Sequence, residues 1–200
     1  MEVKRRSQAD RTAATRAALI AGARALFADR GYADVSTPEL ASAAGVTRGA
    51  LYHQFGDKQG LFLAVVNAVE EDVTARLAQQ VAASGATDPT SALHAAVDAW
   101  LDACEDPEVR RVLLVEAPSV LGWEALRDVA LYHGLGLTEA LLQAAVDAGA
   151  LEPQPLRPLA HLLIGALDEA ALYVEGGGDR GETAAALHRV LDGLLTAGRR

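Results

Sequence analysis

Ser36-Thr37-Pro38-Glu39-Leu40-Ala41-Ser42-Ala43-Ala44-Gly45-Val46-Thr47-Arg48-Gly49-Ala50-Leu51-Tyr52-His53-Gln54-Phe55 is the stretch on which the reading of this chain turns. Ser36 followed three residues later by Glu39 is a capping box, and proline is tolerated in a first helical turn, so a helix begins here. Gly45 stands where a helix-ending residue belongs, which makes that helix short. A second short helix starts at Thr47 and runs to about Phe55. Two short helices joined by a tight turn with glycine, here Ala44-Gly45-Val46, form a helix-turn-helix signature. The same pattern also suits a generic helical hairpin in a bundle.

The pattern is helical on both sides of this stretch. Leu19, Ile20, Ala23, Leu26 and Phe27 share one helical face, in a helix expected over Arg16 to Tyr32 with Gly31 as its stop. After it, Asp57 caps a fourth helix whose apolar face carries Phe62, Val65, Val66, Val69, Val73 and Leu77. Ser84 to Pro89 reads as a linker. Further helices are expected at about Thr90–Cys104, Pro107–Glu116, Gly122–Ala148, Leu156–Glu175 and Gly181–Ala197. They are separated by Asp106-Pro107, Pro118, Gly149, the prolines 153, 155 and 158, and Gly176-Gly177-Gly178. No strand alternation and no internal repeat is found, so the fold class is all-α.

The 200 residues are 50% hydrophobic, with a formal net charge of −9. That length suits one domain, or a small domain fused to a larger one. The one cysteine, Cys104, excludes a disulfide framework and a cysteine-based zinc site. No run approaches the roughly 20 apolar residues of a spanning helix; the best stretch, Leu159 to Val174, is broken by His161, Asp168 and Glu169. The basic N-terminus lacks the apolar core of a secretory signal. A cytoplasmic protein with no membrane partner is expected. Charge is uneven: through Gly60 nine basic residues face six acidic ones, while the remaining 140 residues hold nine basic and 21 acidic. Phosphate attraction acts within a Debye length of ~8 Å, so an acidic protein with one basic end can bind nucleic acid. A basic tail on an acidic domain gives the same tally.

The run from Ser36 to Phe55, with Asp57, Lys58 and Leu61 after it and the opening helix before it, resembles the TetR family of bacterial transcriptional regulators. The resemblance covers roughly Arg16 to Val66, and the C-terminal part has the family's length and helical character. It implies a helix-turn-helix DNA-binding domain at residues 1–56, with a basic arm at 1–15, and a regulatory, dimerising domain at 57–200. It also implies that Lys58 is the family's phosphate-contacting lysine. Two departures stand out: position 53 is His and position 54 is Gln, where the family often has an aromatic residue and His.

The residues support DNA binding on chemical grounds. A helix N-terminus attracts anions, and the hydroxyls of Ser36, Thr37 and Thr47 sit at two such termini. Arg48 can read a guanine edge bidentately. Gly49 lets the helix approach a duplex closely, and Tyr52 and His53 lie one turn further along. Lys4, Arg5 and Arg6 either enter a minor groove or form a solvated tail. Leu40, Ala44, Val46, Leu51 and Phe55 read as the small domain's packing core.

For the C-terminal part the resemblance implies a ligand pocket and a dimer interface. Leu187, Val190, Leu191, Leu194 and Leu195 form a stripe on the last helix, and the helix before it is apolar nearly all round, so it must be covered on every face. Leu162, Gly165 and Ala166 there, with Leu187, Val190, Leu191 and Leu194, are the expected dimer interface. The expected ligand contacts are Trp100 and Cys104, four apart; Glu116; Trp123 and Tyr132; and His161 with Asp168, seven apart on one face. Core packing is the plain alternative for each aromatic, and an interface hydrogen bond for His161 with Asp168. Gly134 and Gly136 suggest a kink or a close packing contact in their helix. A mainly apolar pocket with a few polar anchors suits a medium-sized hydrophobic or amphipathic effector.

No nucleophile elbow, phosphate loop or zinc-protease motif is present, Cys104 has no basic neighbour, and the five histidines lack metal-ligand spacing. No enzyme, metal or cofactor is expected. The expected function is a ligand-responsive repressor that binds a palindromic double-stranded DNA operator as a homodimer. The alternative is a helical homodimeric interaction module without specific DNA binding.

Overall fold

The computed structural model describes residues 8–196. Within them, helices α1 (Gln8–Arg30), α2 (Thr37–Ala43), α3 (Arg48–Phe55) and α4 (Lys58–Ala83) are followed by α5 (Pro89–Cys104) and α6 (Pro107–Val109). A π-helical segment, Arg110–Glu116, leads into α7 (Ala117–Leu121); α8 (Trp123–Asp147), α9 (Leu156–Glu175) and α10 (Arg180–Thr196) complete the fold. The described residues contain no strand.

Local chemistry sets the helix starts. Thr47 accepts a hydrogen bond from the Ala50 amide at 3.2 Å, Asp57 from Gly60 at 2.7 Å, and Asp88 from Ser91 at 3.0 Å. Each satisfies an amide that the helix itself cannot. Gly45 takes φ +64°, the left-handed conformation that lets the chain turn tightly between α2 and α3.

Two boundaries differ from expectation. α1 begins at Gln8, so residues 8–15 of the supposed arm extend the helix; Ala13, Ala14, Ala17 and Ala18 favour it. Lys4, Arg5 and Arg6 lie outside the described residues. Pro118 does not break the chain's helical path. The preceding segment widens to π-type bonding, with the Ala117 amide reaching Val112 O, and Pro118 falls in the first turn of α7. Gly134 makes an ordinary packing position against Ile164, Gly136 faces open space, and α8 runs through both.

One hydrophobic core runs through the molecule. Phe27 and Phe62 meet at right angles with centroids 5.1 Å apart, and Tyr32 packs on both. The first turns of α4 therefore close the core of α1–α3 across the expected boundary at residue 56, while Val69 and Val73 further along α4 enter the larger bundle. α5 and α10 are joined by stacked His94 and His188 rings, 4.2 Å apart; each ring lies about one hydrogen-bond length from a carboxylate, Asp192 at 3.0 Å and Asp98 at 3.1 Å. By length and mean hydropathy α8, rather than α9, is the helix among the described residues that could cross a membrane. It carries Glu124, Arg127, Asp128, Glu139 and Asp147 and packs on α4, α5 and α9.

Candidate DNA-binding surface and buried cavity

α2 and α3 present one polar surface. Ser36, Thr47, Arg48, Gly49, Tyr52 and His53 are exposed and Thr37 half-buried, while Leu40 and Leu51 point inward. Hydrogen bonds from Thr37 and Arg48, in that order, pull the Tyr52 phenol below its ordinary range, so these three side chains meet. The Glu39 carboxylate accepts from Ser36 N at 2.8 Å and Ser36 Oγ at 2.6 Å, and from Arg30 at 2.8 Å. Led by the Ser36 hydroxyl, these bonds hold Glu39 down at about 2.

Gly49 has open space around it: a Cβ there would meet only Thr47 Oγ1, at 3.8 Å. Packing therefore does not require glycine at this position. Lys58 turns inward, donating to Tyr32 O at 2.5 Å with its ammonium 4.1 Å from the Tyr32 ring centre. Burial draws its pKa down against the pull of Asp34, Glu116 and Glu39. Gln54 is half-buried, and its carbonyl accepts from Arg16, whose guanidinium covers Phe55.

The larger bundle contains a cavity of about 210 Å³, open on one side, between α4, α5, the π-helical segment, α8 and α9. Of the expected ligand residues, Trp100, Trp123 and Asp168 line it. Trp100 is fixed by donation from its indole to Leu167 O at 3.0 Å; Trp123 is 59% exposed at the rim. A smaller space of about 60 Å³ shares Glu70, Trp100, Ala130 and Asp168 with it.

The other four expected contacts do not line this cavity. Tyr132 is 80% exposed and borders an open groove between α1, α4 and α8. Glu116 packs against the end of α1 at Gly31, which has φ +82° and where a side chain would overlap the carboxylate. His161 is about one turn before the lining part of α9, and its carbonyl faces Arg127. Cys104 is held outside, its thiol pushed up to about 12 by burial and by Glu70 and Asp168 nearby.

Glu70 and Arg127 are lining residues without a counterpart among the sequence expectations, and Glu169, beside Asp168, lines the cavity too. Glu70 is only 5% exposed and is the one buried charged residue among the described residues. Its signal was a single acid within the apolar stripe Val66, Val69, Val73 and Leu77. Burial, then the neighbouring Asp168, pushes Glu70 up to about 7; burial pushes Asp168 to about 6 against the pull of Arg127.

The cavity wall also touches the small domain. Leu113 and Leu114 of the π-helical segment line the cavity. Just before that segment, Glu108 receives both arms of Arg24 from α1, Nε at 2.6 Å and Nη2 at 2.8 Å, and Arg24 also pairs with Asp72 of α4. These carboxylates raise the Arg24 pKa further. After the segment, Val120 O accepts from Gln59 of α4 at 2.7 Å.

The expected interface residues divide. Leu162 is 72% and Val190 61% exposed, with Ala166 and Tyr173 also exposed, so α9 and α10 share an uncovered apolar patch. Leu187 and Leu194 are half-buried. Leu191 packs inside the protomer, and Gly165 faces Arg127 at the cavity.

Family comparison decides the identity of this architecture. Residues 19–65 match the model for bacterial regulatory proteins of the tetR family, and residues 90–198, over half the chain, match the tetracyclin repressor-like C-terminal domain. The chain belongs to the TetR family. A TetR-family transcriptional regulator from Pectobacterium atrosepticum is 35% identical, its crystal structure superposing with a TM-score of 0.78 over 95% of this chain and 98% of that one. The Transposon Tn10 TetC protein of Escherichia coli is 27% identical over 157 residues, 78% of each chain. RolR in complex with resorcinol shares the fold at 21% identity, with a TM-score of 0.75 over 92% of this chain and 90% of that chain. TetR membership makes this protein a DNA-binding regulator with a helix-turn-helix domain and a helical C-terminal domain.

Proposed function

We propose that this TetR-family protein is a cytoplasmic repressor that binds a two-fold symmetric operator as a homodimer and releases it when a small effector fills the cavity. The observation that carries this reading is the shared wall. Leu113 and Leu114 face the cavity, while Glu108 and Val120 on either side of them hold α1 and α4. An effector that displaces this segment shifts α1 and α4, and with them α3. The effector must bind the two dimer states with different affinity, or nothing shifts.

On the DNA side, Arg48 reads a base edge, Thr37, Thr47 and Tyr52 hold phosphates, and Ser36 and His53 border the contact. Gly49 supports this reading. A helical glycine costs about 1 kcal/mol against alanine, and the protein's own packing gives no reason for it. Lys58 reaches phosphate only after leaving Tyr32. Leu162, Ala166 and Val190 pair with their symmetry mates to form the dimer. The resorcinol bound by RolR is a one-ring molecule, which suits a cavity of this size.

Selection of duplexes from a random pool tests the reading. The expected result is a two-fold symmetric site with half-sites about 34–36 Å apart, or a multiple of that. Absence of enrichment by the folded protein contradicts it.

A further inference from the structure

Three acidic side chains line the cavity. Glu70 reaches it from α4, 5% exposed among buried valines. Asp168 faces the same space from α9, within the electrostatic reach of Arg127. Glu169 lies beside it. The one cation in the lining is Arg127 from α8, which stands against Gly165 and reaches toward the His161 carbonyl. Buried Glu70 and half-buried Asp168 thus share a mostly apolar space, with exposed Glu169 and Arg127 at its edge. The π-helical segment adds only Leu113 and Leu114 to that lining, and α5 adds Trp100, with the protonated Cys104 thiol behind it.

Burying an ionised carboxylate without a partner costs several kcal/mol, so an empty cavity favours protonated acids. The raised pKa values of Glu70, about 7, and Asp168, about 6, agree with that cost. An organic cation removes it by replacing the protons. A neutral guest leaves the protons where they are, and an anionic guest meets repulsion. The indole rings of Trp100 and Trp123 add surfaces that attract cations.

Size narrows the guest further. A cavity of roughly 150 Å³ accepts benzene. The space here, about 210 Å³ with a contiguous 60 Å³, takes one ring with a short tail. We propose that the cavity selects a monocyclic aromatic amine, its ammonium between Glu70 and Asp168 and its ring against Trp100 and Trp123. The proposal rests on the reading of this cavity as the effector site.

Binding is then linked to proton release. Each proton displaced makes the affinity rise about tenfold per pH unit below the pKa of the group that loses it. The rise stops above about pH 7, where both acids are already ionised.

Three probes of one size test this on the full-length protein: phenethylamine, phenethyl alcohol and phenylacetate, followed by calorimetry and tryptophan fluorescence. The amine is expected to bind at least about tenfold tighter than the other two, with an affinity that climbs from pH 5 to pH 7. Glu70→Gln and Asp168→Asn retain the shape of the protonated acids and are expected to fold, lose most of the amine preference and flatten the pH dependence. Equal or tighter binding of the alcohol or the acid, pH-independent binding of the amine, or no binding by any probe overturns the proposal. Displacement from DNA is read separately. Amine binding without release of the selected operator keeps the ligand class and refutes the effector reading; release by the alcohol alone does the reverse.

Discussion

The clamp between Arg24 and Glu108 gives the most direct access to how cavity and DNA-binding domain communicate. Both side chains are about a quarter exposed, and the two contacts at 2.6 and 2.8 Å form a parallel bidentate pair. Hydrogen bonds to charged groups contribute roughly 1.5–3 kcal/mol when protected, and exposed pairs about 0.2–1. Partial solvent screening places this pair between those limits, at about 1–2 kcal/mol. Asp72 is more than half exposed, so its share is smaller, about 0.5 kcal/mol or less. A double-mutant cycle with Arg24→Ala and Glu108→Ala, read by urea unfolding, measures the term directly. The expected coupling energy is about 1–2 kcal/mol, several times that of the Arg24–Asp72 cycle. The Arg24→Ala protein is further expected to bind cavity ligands normally while responding less on DNA. Additive mutations, or an unchanged DNA response, would refute the clamp as the connection.

Other perturbations have equally definite outcomes. Thr47→Ala removes the cap of α3 and is expected to cost about 1 kcal/mol of stability, checked by thermal or urea unfolding. Leu162→Glu with Val190→Glu places charge on the exposed α9–α10 patch; sedimentation should show folded monomers, and a persisting dimer would move the interface elsewhere. Glu70 and Asp168 have folded-state pKa values raised above their unfolded ones, so their contribution is full below about pH 4 and disappears as pH rises through about 6 and 7. The ligand-free protein should therefore lose up to roughly 3 kcal/mol from Glu70 between about pH 4.5 and pH 8. Glu70→Gln should remove that part of the slope in unfolding free energy.

The helix-turn-helix was legible because its signals are local. Ser36 with Glu39, Gly45, Thr47 and Asp57 each satisfy or redirect the backbone within a few residues, and each does so in the structure. The cavity was less legible because it depends on how distant helices pack. His161 and Asp168 share a helical face, but α8 meets α9 so that Asp168 lines the cavity while His161, nearer the start of α9, does not. Polar-tipped residues on apolar helices serve several purposes: Glu116 meets the end of α1, and Tyr132 faces solvent. Glu70 was hidden by its company, one acid in a stripe of valines whose periodicity reads as core. The π-helical path through Pro118 was also unreadable, since proline ordinarily marks a break and only tertiary packing keeps the chain coiling through it.

The central claim is that α3 reads base pairs through Arg48, and the affinity of Arg48→Ala for the selected operator tests it. One lost bidentate contact costs about 1–3 kcal/mol per half-site, so the affinity of the dimer for a two-half-site operator should fall at least about thirtyfold, with folding, dimerisation and non-specific binding nearly unchanged. Undiminished specific affinity in that variant would contradict the account.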